Sequence, residues 1–241
     1  METEGVFTPE TRETALDAAT GRPLWHDSRP WGMPHPSTAI DPATERMVIG
    51  SNDGVCYCWE FPSLDPAWKF QTGAEIKGTI PTYDGSAFVG SWDNKFYKLD
   101  LADGREEWSF ETGGIVMSNP GIDPDAGVVY VGSDDRHVYA LDTDTGEELW
   151  STNIGGSIIG SLSVTAETVL VGSYDTHLYA LDKTTGERRW RIECNGHVTS
   201  EAVPHDGRIF FAERGDISGY WSDEEPQELH TMGHAYSLRP E

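Results

Sequence analysis

Residues 128–150 run VVYVGSDDRHVYALDTDTGEELW, and residues 169–190 answer with VLVGSYDTHLYALDKTTGERRW. The register extends through the chain. Gly50-Ser51, Gly90-Ser91, Gly132-Ser133 and Gly172-Ser173 are spaced by 40, 42 and 40 residues. Tyr57, Tyr97, Tyr139 and Tyr179 repeat the same intervals, as do Trp68, Trp108, Trp150 and Trp190. Three residue types in one register identify a repeat of about 40 residues.

Each unit reads as antiparallel strands. Val128 to Gly132 is a β-branched run, His137 to Leu141 a second and Glu148 to Thr152 a third, with an inner strand before them, for example Ser157 to Val164. Between the first two lie hairpin residues: Ser91-Trp92-Asp93-Asn94, Ser133-Asp134-Asp135-Arg136 and Ser173-Tyr174-Asp175-Thr176. A second turn is written Asp17-Ala18-Ala19-Thr20-Gly21, Asp142-Thr143-Asp144-Thr145-Gly146 and Asp182-Lys183-Thr184-Thr185-Gly186. There an Asp carboxylate caps the following amides and a Gly supplies positive φ. Four short strands per unit describe one blade of an all-β propeller, with the repeated Trp wedged between neighbouring sheets.

The two stretches quoted above resemble the PQQ-like propeller repeat, and the resemblance covers residues 14 to 213. That family includes quinoprotein dehydrogenases, the outer-membrane assembly lipoprotein of Gram-negative bacteria and propellers fused to kinases. It is quinoprotein-like and WD40-like in architecture, and it implies a fold rather than a task.

The repeat places blades at 33–72, 73–112, 113–154, 155–194 and 195–238 of a single domain spanning 1–241. The fifth departs from the pattern: Phe210-Phe211-Ala212-Glu213 stands where the others have Val-Gly-Ser, an irregular stretch from Arg214 to Met232 follows, and His234-Ala235-Tyr236-Ser237-Leu238 resembles HVYAL. Its Trp-bearing strand is missing. Residues 21–26, with Trp25, match that strand and would close a ring of five blades, leaving no exposed edge. The rival is a fragment of the larger rings usual in the family, or a misplaced start codon. Thr14-Ala15-Leu16-Asp17 favours the rival, because it duplicates strand material already supplied by Tyr236-Ser237-Leu238.

Composition narrows the function. The chain has 41 acidic and 17 basic residues, a net charge of −24, and only 5 of the basic residues are Lys. Nucleic acid and anionic lipid surfaces are bound mainly through Lys and Arg, so neither is an expected partner. The acid is scattered without a tail, as in halophilic, salt-accumulating haloarchaea, and reads as a solvated surface for molar salt rather than a DNA mimic or cation store. No stretch is apolar enough to insert in a membrane and the first twenty residues are acidic, so a cytoplasmic protein is expected.

The repeats also separate structural from singular residues. Trp25, Trp68, Trp108, Trp150 and Trp190 serve the blades. Cys56 and Cys58 sit where other blades carry Phe96, Val138 and Leu178, or Lys98, Ala140 and Ala180, and read as packed thiols; with Cys194 they are too few for a zinc site or a disulfide framework. Asp53, Asp93, Asp135 and Asp175 recur as turn residues, not catalytic acids, and so do Asp100, Asp142 and Asp182. His137 and His177 share a turn column and read as solvated. His230 and His234, four apart near Glu228, lack the flanks of a zinc helix. No Gly-x-Ser-x-Gly elbow or phosphate loop is present.

The singular residues lie near the expected channel. Thr79, Asn119, Ser161 and Glu201 form one inner-strand column, and Lys77, Met117, Ile159 and Thr199 another, with Lys77 and Glu201 the odd charges. In the hairpin column Asn52, Trp92, Asp134 and Tyr174 vary, and Trp92 and Tyr174 could flank a flat ligand or anchor a partner. Trp221 follows Tyr220 in the irregular segment as another apolar anchor. No catalytic residue, metal or cofactor is expected, and the partner expected is another protein. A quinoprotein dehydrogenase holding PQQ with calcium is the alternative, disfavoured by the lack of an adjacent Cys-Cys pair. A regulatory module working with a kinase or membrane protein is the other.

Overall fold

The computed structural model describes residues 13–27, 38–214 and 234–238, with the backbone alone at 13–15 and 25–27. Every element among them is a strand. Four sheets have four antiparallel strands each: β3 (Ala39–Asp41) to β4 (Arg46–Gly50), β5 (Val55–Glu60) and β6 (Pro66–Gln71); β7 (Thr82–Tyr83), β8 (Ser86–Gly90), β9 (Lys95–Asp100) and β10 (Glu106–Glu111); β11 (Gly121–Asp123), β12 (Val128–Gly132), β13 (His137–Asp142) and β14 (Glu148–Asn153); β15 (Leu162–Val164), β16 (Thr168–Gly172), β17 (His177–Asp182) and β18 (Arg188–Glu193). A three-stranded sheet follows, β19 (Val203–His205), β20 (Arg208–Ala212) and β21 (Ala235–Leu238). The two remaining strands, β1 (Glu13–Leu16) and β2 (Pro23–Asp27), pair with each other.

The chain is therefore a β-propeller of about five blades. Completion of the last sheet by residues 21–26 is not what the backbone bonds make: β2 is laddered to β1 across the Asp17–Gly21 turn, and β21 ends the last sheet. A five-residue turn closes a hairpin at far less entropic cost than a contact between chain ends.

The second strand of each complete sheet is buried along its length, save for half-buried Arg46 and Thr168 at the start of β4 and β16, because both faces are covered. One side of β12 and β13 packs on the sheet before, through Val129, Val131, Tyr139 and Leu141. The other side packs on the sheet after, through Val128, Tyr130, Val138 and Ala140. Outer strands alternate exposed and half-buried residues, as an edge strand should. Cys56 and Cys58 lie in the apolar layer between the first two complete sheets.

The inner strand is shorter than the sequence suggests, since only Leu162–Val164 of the expected 157–164 pairs with β16. Residues before it bond elsewhere: Ile158 N–H donates to the Ser133 carbonyl of the preceding blade, and the Ser157 carbonyl accepts from Tyr174 N–H. This cross-blade stitch also explains the Gly-Ser pair. A Cβ on Gly132 would lie 2.2 Å from Ile158 Cγ2, so the linker can pass only over glycine.

The repeated Trp is a clasp. Trp68, Trp108 and Trp150 donate their indole N–H to the carbonyls of Leu101, Thr143 and Lys183 in the next blade's second turn, at 2.9, 3.1 and 3.1 Å. The turn is held by its Asp: Asp142 Oδ1 accepts from the N–H groups of Asp144 and Thr145 at 3.0 and 2.8 Å. Gly186 closes the following copy at φ 73°, and a Cβ there would come within 2.6 Å of the Trp150 ring.

Candidate functional site

The first hairpins and the linkers into each inner strand lie on one face and are tied by carboxylates. Asp93 Oδ2 accepts from Gly73 N–H at 2.7 Å and from the Tyr97 hydroxyl at 2.6 Å, while its Oδ1 accepts from Lys95 N–H at 3.0 Å. Asp135 repeats the set with Gly113, Tyr139 and His137. Burial opposes ionised Asp135, yet the Tyr139 hydroxyl and the His137 and Gly113 amides hold its carboxyl below the ordinary range. The Tyr139 phenol is pushed up by burial and by its bond to that carboxylate. These acids are structural, as their recurrence implies.

Two features of the hairpin were not read from sequence. Asn94, Arg136 and Thr176 have φ of 69°, 76° and 69°, a strained state for a β-branched residue such as Thr176. Each turns its carbonyl to the end of the outer strand, where Thr112, Ile154 and Cys194 donate N–H groups. Gly54 and Asn94 in that column were the available signal. His137 and His177 are not simply solvated either: each is partly buried, with Nδ1 at 3.1 and 2.8 Å from the carbonyls of Asp135 and Asp175, and leans on the ring of Tyr139 or Tyr179. His and Tyr stand two positions apart on the strand, which puts both rings on one side of the hairpin.

The fifth blade rebuilds the tie between hairpin and linker with a different acid. Glu213 occupies the Ser133 column, and its longer side chain reaches the linker amides: Oε2 accepts from Asn195 and Gly196 N–H at 2.6 and 2.9 Å. His234 Nδ1 lies 2.7 Å from Oε1, and Tyr236 takes the place of Tyr139. Burial opposes the charge on Glu213, but the bonds from His234, Gly196, Tyr236 and Asn195 hold the carboxyl below its usual range. A depressed folded pKa gives stability that is present above the unfolded value of about 4.3 and lost as pH falls through the folded value. Glu213→Gln is expected to cost about 1–3 kcal/mol at pH 7. In denaturant titrations the gap to the parent should shrink below pH 4.3; a constant gap would contradict this assignment.

The inner column is a chain of bonds across three blades. Thr79 N–H donates to Asn119 Oδ1 at 2.7 Å, and Asn119 Nδ2 donates to Ser161 Oγ at 2.8 Å. Glu201 is exposed and stands outside this chain. Lys77 and Trp92, separate in the sequence reading, meet: the Lys77 ammonium lies 3.4 Å from the Trp92 ring centroid. The Trp92 indole N–H is buried without an acceptor among the described residues. Tyr174 stacks on His197, the ring centroids 4.4 Å apart at 22°, and its carbonyl lies 2.6 Å from His197 Nδ1. His197 had no place among the sequence candidates; only its alignment with Glu75, Ile115 and Ser157 could have marked it as singular. Trp221 and His230 lie outside the described residues.

The thiols are shielded. Burial pushes Cys56 and Cys58 up, Cys58 to about 12, and Cys194 to about 11, so all three are protonated at neutral pH. Among the described residues no three His, Cys, Asp or Glu side chains converge as a metal site, and no helix is long and apolar enough to cross a membrane.

A family model described as "Outer membrane protein assembly factor BamB" matches residues 11–121 and 117–221. BamB from Moraxella catarrhalis superposes with a TM-score of 0.69 at 20% identity, over 79% of this chain and 61% of that one. The computationally designed Ika8 protein gives 0.71 at 17%, over 84% and 62%. The chain thus spans under two thirds of either solved structure. No curated protein sequence matches it.

Proposed function

We propose, from the premise that the chain belongs to the PQQ-like repeat family whose model carries the BamB description, that it is a non-catalytic scaffold presenting its first-hairpin face to another protein. The observation that carries this reading is the way Trp92 and Tyr174 are held. Each is a singular aromatic in an otherwise structural hairpin, and each is braced, by Lys77 and by His197. Aromatic side chains dominate interface energetics, and bracing them beforehand lowers the entropy lost on binding.

The description of the family model names an outer membrane protein assembly factor, which agrees with a protein partner here. The acidic surface argues against nucleic acid, and a cytoplasmic, high-salt setting completes the proposal. What supports leaving PQQ and calcium aside is the engagement of the candidate groups: Cys56 and Cys58 belong to the core, and Asp93 and Asp135 are committed to hairpin amides and phenols.

The test is affinity capture with the folded chain and with Trp92→Ala/Tyr174→Ala as paired baits in molar KCl. Partners retained by the parent should fall by at least about tenfold on the variant, the equivalent of one lost hot spot. Equal retention would refute the face, and tight calcium-dependent PQQ binding in a calorimetric titration would replace the scaffold by the dehydrogenase.

A further inference from the structure

The linker into the fourth complete sheet lacks two ties that its counterparts make. In the second and third sheets the linker begins with a Thr whose hydroxyl donates to a linker carbonyl, Thr72 to Ala74 at 2.7 Å and Thr112 to Gly114 at 2.6 Å. The next residue gives its N–H to the hairpin acid, Gly73 to Asp93 and Gly113 to Asp135, each at 2.7 Å. The fifth blade keeps this second tie through Glu213. At the fourth sheet Ile154 stands in the Thr column without a hydroxyl. Asp175 Oδ2 accepts from the Tyr179 hydroxyl at 2.6 Å but, among the described residues, from no linker amide.

The Gly155 N–H goes instead to the end of the preceding outer strand, donating to Asn153 Oδ1 at 3.0 Å. Gly155 is thereby turned to φ 99°, whereas Gly73 and Gly113 stay outside the positive-φ region. Asn153 is itself singular, since Gln71, Glu111 and Glu193 hold that position in the other outer strands. The hairpin acid is nonetheless at hand: a Cβ on Gly155 would lie 3.6 Å from Asp175 Oδ2. One peptide plane, Ile154–Gly155, has two acceptors beside it, and glycine takes φ of either sign without steric cost.

His137 selects between them. Its Nδ1 lies 3.1 Å from the Asp135 carbonyl, which can only accept, so Nδ1 carries a proton in both charge states. Nε2 of the neutral ring is then an acceptor, and Asn153 Nδ2 lies 3.4 Å from it. The Gly155 bond fixes which end of the Asn153 amide is oxygen. A second proton on the ring, at Nε2, would set donor against donor. The charged and titratable groups around the ring are Asp134, Asp135 and Arg136 of its own hairpin, with Asp135 Oδ1 3.4 Å from Nδ1, and Tyr139, whose hydroxyl is given to Asp135. Strand β14 adds Glu148, which accepts from the Ser151 hydroxyl, and Asp175 stands across the linker.

We propose that His137, Asn153 and Gly155 form a pH-operated switch in the fourth linker: protonation of His137 turns the Asn153 amide, and the Gly155 N–H passes to Asp175 Oδ2, making the tie found in the second and third sheets. The structure shows the neutral arm. Two residues on, the Ser157 carbonyl accepts the Tyr174 N–H at 3.0 Å, so the segment that moves is the one that seats Tyr174. The switch does not depend on the partner reading above.

Backbone NMR of the full chain in molar KCl, from pH 8 to pH 5, reads the switch at Gly155. Its amide shift and its HN–Hα couplings are expected to change together, with the same midpoint as the His137 ring signals. His137→Lys, the residue that Lys95 supplies in the second sheet, removes the neutral acceptor; Asn153→Ala, at an exposed position, removes the competing oxygen. In both, Gly155 should show the low-pH couplings throughout. A Gly155 amide indifferent to pH, a midpoint apart from that of His137, a shift with unchanged couplings, or variants that keep the pH response would each overturn the proposal. The same spectra show whether each variant is folded, and either one suffices if the other is not.

Discussion

Trp150→Ala is expected to lower the unfolding free energy by about 3–5 kcal/mol, the range for deleting a large aromatic from a packed site. The indole is half-buried, lies against Gly186 and has its ring centroid 5.7 Å from that of Tyr130. Most of the cost is lost apolar contact between two sheets. The hydrogen bond contributes less, since the Lys183 carbonyl keeps the Tyr130 hydroxyl as a donor when the indole is gone. Trp190→Ala, with no second turn against the ring among the described residues, should cost less. Denaturant unfolding of the two variants measures both. A Trp150→Ala cost under about 1 kcal/mol would remove the clasp from the account of stability.

Dilution from molar KCl to roughly 10 mM is expected to unfold the chain or lower its Tm steeply, because the Debye length grows from about 3 to about 30 Å and 24 net negative charges then repel across the whole domain. Acids on the rims and outer strands carry this burden: Glu106, Glu111, Asp125, Glu148 and Glu193 are exposed. Local pairing offsets only part of it. Arg189 binds both Glu167 and Asp182, whose carboxyl it helps to hold at about 2, but such surface pairs contribute little. A thermal melt that is unchanged between the two salts would refute a surface built for high salt.

The sequence by itself determined what repeats. Strand bounds at Val128–Gly132, the Asp-to-Gly second turn and the Trp wedge were legible because local chemistry, periodicity 2 and positive-φ residues act within one blade. The same internal comparison placed Cys56 and Cys58 in the core and made the recurrent Asp residues structural. Tertiary structure decided what depends on distance between blades. It brought Lys77 onto Trp92 and His197 under Tyr174, and it joined Thr79, Asn119 and Ser161 across three sheets. It also gave Glu213 the work of the missing Asp, and sent β2 to β1 rather than to the last sheet. None of these has a local signature, because each pairs residues that only the packing angle between sheets brings within hydrogen-bond or ring-stacking range.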